Sequence, residues 1–99
     1  MINNETLSIV IPVYNEASSL IELYEEIKVN VSSFSIWEIL FVDDGSTDDS
    51  GEIIRSLHEK DKRVKLIQFH RNYGKSAALS EGFKTATGNF ILTMDADLQ

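Results

Sequence analysis

Apolar residues fall along this chain in two rhythms that take turns. Short, mostly apolar runs, 7–12, 37–42, 64–69 and 90–94, are too short for helices, and the first is apolar on both faces. Such runs predict strands covered on both sides, as in a parallel sheet. Between them the apolar positions are three or four apart, which is helical spacing. Leu20, Leu23, Tyr24, Ile27 and Val31 line the first helix, and Ile53, Ile54 and Leu57 the second, over 47–61. Leu79, Phe83 and Ala86 line the third, over 76–87, where Ala78 and Gly82 allow a close approach to a sheet. The order β-α-β-α-β-α-β with short connections predicts an α/β, Rossmann-like parallel sheet with right-handed crossovers and helices on both faces.

Local signals set the expected boundaries. Pro12 cannot donate to a ladder and should end the first strand. Ser19 with Glu22 is a candidate capping box for the first helix, with Asn15 and Ser18 as alternatives. Ser46 and Asp49 are the expected caps of the second helix, and Gly88 the expected stop of the third.

Composition narrows the picture in a few places. At 99 residues the chain is one domain at most, or a piece of one. The absence of cysteine excludes disulfides, thiolate catalysis and cysteine-ligated zinc within this segment. A net charge of −7 argues against a nucleic-acid-binding surface. No apolar run approaches the roughly 20 residues of a membrane helix, and the N-terminus lacks a signal-peptide pattern. The expected compartment for this segment is the cytosol.

In a parallel sheet every strand-to-helix loop opens on one edge, where such sheets bind ligands. The four loops here are 12–16, 43–46, 70–75 and 95 onward; all are polar, and three contain carboxylates. Asp95 and Asp97, with Gln99, would point three oxygen-bearing side chains to one side of an extended chain. Hard divalent cations, Mg2+ or Mn2+, take ligands of this kind, whereas an isolated Asp-x-Asp is more often a solvated turn. Gly74-Lys75-Ser76 is not a phosphate loop, because Phe69 stands where that motif needs glycine. A dinucleotide fingerprint fails as well, since Pro12-Val13-Tyr14-Asn15-Glu16 carries no glycine. Trp37 and Tyr24 read as packing residues, His58 as solvated, and His70 as a structural loop residue.

Four segments together carry a resemblance. They are Val10-Ile11-Pro12-Val13-Tyr14-Asn15-Glu16, Phe41-Val42-Asp43-Asp44-Gly45-Ser46-Thr47-Asp48, Arg71-Asn72-Tyr73-Gly74-Lys75 and Asp95-Ala96-Asp97-Leu98-Gln99. In order and spacing they resemble the inverting family 2 glycosyltransferases of the GT-A fold. The likeness is greatest to dolichol-phosphate mannose synthases and bacterial polyprenyl-phosphate glycosyltransferases. It implies that 1–99 is a single partial domain, the nucleotide-sugar-binding half, with the acceptor half absent. Pro12, Tyr14 and Glu16 would line the pocket for base and ribose. Asp44 would accept a hydrogen bond from the base, with Asp43 supporting the turn. Lys75 would sit near the base or the diphosphate, and Gly74 would allow close backbone approach. Asp95 and Asp97 would bind ribose, diphosphate and metal, with Gln99 as a further metal ligand. No catalytic base is identifiable within the segment.

The resemblance further implies Mg2+- or Mn2+-dependent transfer of a hexose from a UDP- or GDP-linked sugar to a polyprenyl or dolichyl phosphate. The full-length enzyme is expected at the cytoplasmic face of a membrane, with this segment inactive alone and prone to self-association. The alternatives are another family 2 branch, serving polysaccharide or cell-wall synthesis, and a receiver-like signalling domain. The latter would carry its acidic pair after the first strand, where Pro12-Val13-Tyr14 stands.

Overall fold

A computed structural model describes residues 5–97. The element order is β1 (Thr6–Val13), α1 (Leu20–Asn30), β2 (Ile36–Asp43), α2 (Ser50–Lys60), β3 (Val64–Gln68), α3 (Lys75–Thr85) and β4 (Phe90–Thr93). All strand pairs are parallel, in the order β3-β2-β1-β4. Going from β1 to β2 to β3 moves the chain one way across the sheet; β4 then returns to the far side of β1. Right-handed crossovers therefore put α1 and α2 on one face and α3 on the other.

The strand pleat matches these layers. Leu7, Ile9, Ile11 and Val13 of β1 pack with Leu20, Leu23 and Ile27 of α1 and with Ile54 and Leu57 of α2. Val10 points the other way and meets Leu40, Val42 and Ala78. Gly82 lies so close to Val10 that an added Cβ would collide with its side chain. The small residues of α3 thus face the sheet, as predicted, whereas Phe83 of the predicted stripe is 47% exposed.

Several expected boundaries move, each for a local reason. α2 begins at Ser50 rather than near 47, because the amides of Ser46, Thr47 and Asp48 donate to the side chains of Asp43 and Asn15. Asp49 stands at its N-cap as expected but makes no side-chain cap bond, and Ser46 lies outside the cap; Asp48 accepts from Ser50 N and Oγ instead. Ser19 sits at the N-cap of α1 without a side-chain cap bond. Gly88 is not the stop of α3, which ends at Thr85 with Ala86 extended. The α3–β4 connection is fixed by Glu38, a buried acid of β2, which accepts from Ser8 Oγ (2.6 Å), Lys65 Nζ (2.8 Å), Thr87 N (2.9 Å) and Thr87 Oγ1 (3.0 Å). His58, expected to be solvated, is half-buried, with Nδ1 2.6 Å from Val64 O. Tyr24 and Trp37 are buried as expected.

The largest departure is β4. Its apolar run predicts a covered strand, yet Phe90, Ile91 and Leu92 are 51%, 43% and 51% exposed. β4 is the sheet edge beyond β1, and no described element lies over it. Among the described residues no helix is long and apolar enough to cross a membrane.

Candidate functional site

The strand order reverses beside β1, so the crevice between the carboxyl ends of β1 and β4 is the switch point where open α/β sheets bind ligands. A cavity of about 540 Å³ lies there, within the range of small-molecule sites. Pro12, Tyr14 and Glu16 form one wall, Asp44, Asn72, Gly74 and Lys75 another, and Asp95 with Asp97 the rim. The predicted nucleotide-binding residues thus line one cavity, with one exception.

That exception is Asp43. It is 1% exposed and absent from the cavity lining. Its Oδ1 accepts from Ser46 N at 3.0 Å and its Oδ2 lies 3.3 Å from Gln68 Nε2, while its side chain runs under Gly51. In register with Val13 it faces the α1–α2 layer, one residue out of phase with the pocket. Asp43 shapes the turn and does not line the cavity. Gln99, the third expected metal ligand, lies outside the described residues.

Asp44 lies on the cavity side and is 4% exposed. Its Oδ1 accepts from Tyr73 N at 2.7 Å; its Oδ2 accepts from Gly74 N at 3.0 Å and Asn72 Nδ2 at 3.1 Å. A carboxylate offers roughly four acceptor positions, so one is left for a ligand. Asp44 first of all organises the loop before α3. Gly45 lets the two loops meet: its φ is +74°, and a Cβ there would strike the Arg71 backbone.

The opposite wall depends on a residue considered in the sequence only as a helix cap. Asn15 has φ +54°, a left-handed conformation that asparagine tolerates better than most side chains. Its Oδ1 accepts from Thr47 N (2.8 Å) and Asp48 N (3.2 Å), and its own N–H donates to Ser46 Oγ (2.9 Å). Asp48 answers by accepting from Ala17 N at 3.2 Å. Burial works against ionisation of Asp48, but donation from Ser50 Oγ and N and from Ala17 N holds its carboxyl below the usual range. The first and second loops are therefore stitched together, which fixes Tyr14 and Glu16 on either side of Asn15.

The acidic rim is set by the residue between its two carboxylates. Ala96 is 4% exposed and packs into the core beside α1, and its carbonyl accepts from Ser19 Oγ. Ala96 is turned inward, whereas Asp95 and Asp97 are both exposed and both line the cavity. Lys75 Nζ lies 2.7 Å from Asp95 Oδ1, and this contact raises the lysine pKa.

Among the described residues no three His, Cys, Asp or Glu side chains converge as a closed metal cage. Two adjacent carboxylates on an open rim suit a different kind of site. Mg2+ is commonly held by one or two carboxylates, with substrate phosphates and water completing its shell. The donor set fits a cation shared with a phosphate-bearing ligand.

Comparison with known proteins turns this geometry into an assignment. The profile of Glycosyl transferase family 2 matches residues 8–99. The chain belongs to that family. It is 46% identical over 95 residues to an undecaprenyl-phosphate 4-deoxy-4-formamido-L-arabinose transferase of Salmonella choleraesuis, covering 94% of this chain and 29% of the relative. The mannosyltransferase PcManGT of Pyrobaculum calidifontis, solved with GDP-Man and Mn2+, superimposes with a TM-score of 0.79 at 26% identity. That match covers 97% of this chain and 28% of the other. TarS 1–349 of S. aureus, solved with UDP-GlcNAc, also gives 0.79 at 27% identity, covering 93% and 26%. The fold is thus that of the GT-A glycosyltransferases, and the receiver-like alternative falls away. The chain spans less than a third of the length of these relatives.

Proposed function

We propose that this chain forms the donor-binding half of a metal-dependent glycosyltransferase, which in the full-length protein transfers a sugar from a UDP- or GDP-linked donor to a polyprenyl phosphate. The observation that carries the reading is the meeting of four loops at the sheet's switch point, where the Asp95–Asp97 rim and Lys75 line one cavity. In this reading Tyr14 and Pro12 contact the base, the remaining acceptor position of Asp44 takes a base N–H, and Glu16 bounds the ribose side. Asp95 and Asp97 would hold Mg2+ or Mn2+, which neutralises charge on the departing diphosphate. Carboxylates alone would repel that diphosphate, so the acidic rim makes sense only with a cation between them.

The branch is favoured by sequence. Identity to the undecaprenyl-phosphate transferase is 46%, against 27% for TarS. The name of that relative specifies an arabinose derivative, so the transferred unit is proposed as a sugar in general and not only a hexose. An acceptor phosphate is itself a competent nucleophile, so this reading requires no strong protein base. A lipid acceptor would place the full-length protein at the cytoplasmic face of a membrane. The exposed β4 makes the present chain a candidate for self-association.

Calorimetry with UDP and GDP, each with and without Mn2+, tests the reading. Metal-dependent binding of one nucleotide is expected, abolished by Asp95→Asn with Asp97→Asn. Absence of binding for both nucleotides, with metal present and the chain folded by circular dichroism, would overturn it.

A further inference from the structure

Lys75 has an odd position. It is the first residue of α3, where the helix dipole disfavours a cation. The first turn of α3 contains no acidic residue, and Gly74 at the N-cap provides no side-chain acceptor. Two sources of positive potential therefore stand side by side at the cavity, the ammonium group and the amino end of an eleven-residue helix. The ammonium turns to Asp95, 2.7 Å away, one of the two carboxylates given above to the metal.

That contact is weakly held. The Lys75 and Asp95 side chains are 62% and 64% exposed, and exposed ion pairs contribute little. The lysine head sits on a flexible four-carbon stem and can re-aim without any backbone change. The pair also has a matched counterpart. A divalent cation bound to a diphosphate brings a positive charge for Asp95 and a negative one for Lys75. A bare cation brings only the first, and must leave Lys75 without its partner beside an added positive charge.

Building on the proposed function, we infer that Lys75 is a specificity-determining residue that makes the acidic rim take its cation together with a nucleotide diphosphate and disfavours the free ion. In the empty site Lys75 occupies Asp95. When the metal–diphosphate enters, Asp95 turns to the cation and Lys75 moves to the phosphate oxygens. Binding of metal and of nucleotide is thereby coupled, and the coupling acts equally in both directions.

The test is a set of titrations on the protein, Lys75→Met and Lys75→Arg, each checked for folding by circular dichroism. Free Mn2+ is followed by electron paramagnetic resonance, and UDP and GDP binding by calorimetry with and without Mn2+. Lys75→Met is expected to bind Mn2+ alone about two- to fivefold more tightly. It should bind the nucleotide with Mn2+ about tenfold more weakly, through loss of a charge-assisted phosphate contact. The enhancement of nucleotide binding by metal shrinks accordingly, and Lys75→Arg retains it. Unchanged or weakened Mn2+ binding by Lys75→Met overturns the inference, as does an enhancement equal to that of the unaltered protein. Failure of the unaltered protein to bind either nucleotide with Mn2+ is a different result, which overturns the functional reading and this inference with it.

Discussion

Asp44 and Asn15 show how far a single residue can be read before its neighbours are known. Asp44, just past the end of β2, was legible as a candidate-site residue, because a carboxylate at a strand's carboxyl end faces the ligand edge. Its hold on Tyr73 N, Gly74 N and Asn72 Nδ2 was not, since those partners lie 28–30 positions along the chain. Asn15 was harder still. Its positive φ and its clasp on Thr47 and Asp48 exist only once β1 and β2 lie side by side. Asp43 and Asp44 are adjacent in sequence, yet the pleat sends them to opposite faces, so only one reaches the cavity. Asp44→Asn is the direct check. The amide presents N–H groups where two backbone donors need an acceptor, so a loss of about 2 kcal/mol is expected. Hydrogen exchange should quicken at Tyr73 and Gly74 while the amides of β1 and β2 stay protected. Unaltered protection of Tyr73 and Gly74 would show that Asp44 does not organise this loop.

At the level of elements, the strand and helix periods were clear because each apolar run answers to one layer of the fold. The ends were less clear. The start of α2 depends on loop partners, and the end of α3 on a carboxylate far away in sequence. Glu38 carries that second role, and its protonation is testable. Burial raises its pKa, but Lys65, Ser8 and Thr87 outweigh this and hold it at about 2, below the ordinary 4.5. A pKa lowered by folding means the ionised form stabilises the fold above the unfolded value and ceases to do so as pH falls through the folded one. Stability on the order of 3 kcal/mol should therefore disappear between about pH 4.5 and 2. Urea midpoints across that window should fall steeply for the unaltered chain. Glu38→Gln, less stable at neutral pH, should show a shallower slope; equal slopes would remove Glu38 from the acid transition.

At the scale of the whole molecule, the alternation of elements implied a parallel sheet but not its strand order, which is decided by the side of β1 that β4 joins. That choice creates the crevice of the candidate site, and it also makes β4 an edge. The apolar content of β4 was legible in the sequence; what lies over it was not, because a residue run does not say which surface covers it. Register with β1 turns Phe90 and Leu92 towards the α1–α2 side and Ile91 towards the α3 side. All three are about half exposed, so two faces and one edge of the same strand meet water. Unpaired apolar edges recruit further strands, and the readiest one here is β4 of a second copy. Sedimentation velocity is expected to show concentration-dependent dimers at micromolar to millimolar protein. Leu92→Lys should restore the monomer, because a charge on an edge strand opposes pairing while the lysine stem still covers the apolar neighbours. Nucleotide binding should survive that change, since Leu92 does not line the cavity. A chain that stays monomeric across the whole range would mean that the twist and shortness of four-residue β4 suffice to blunt the edge.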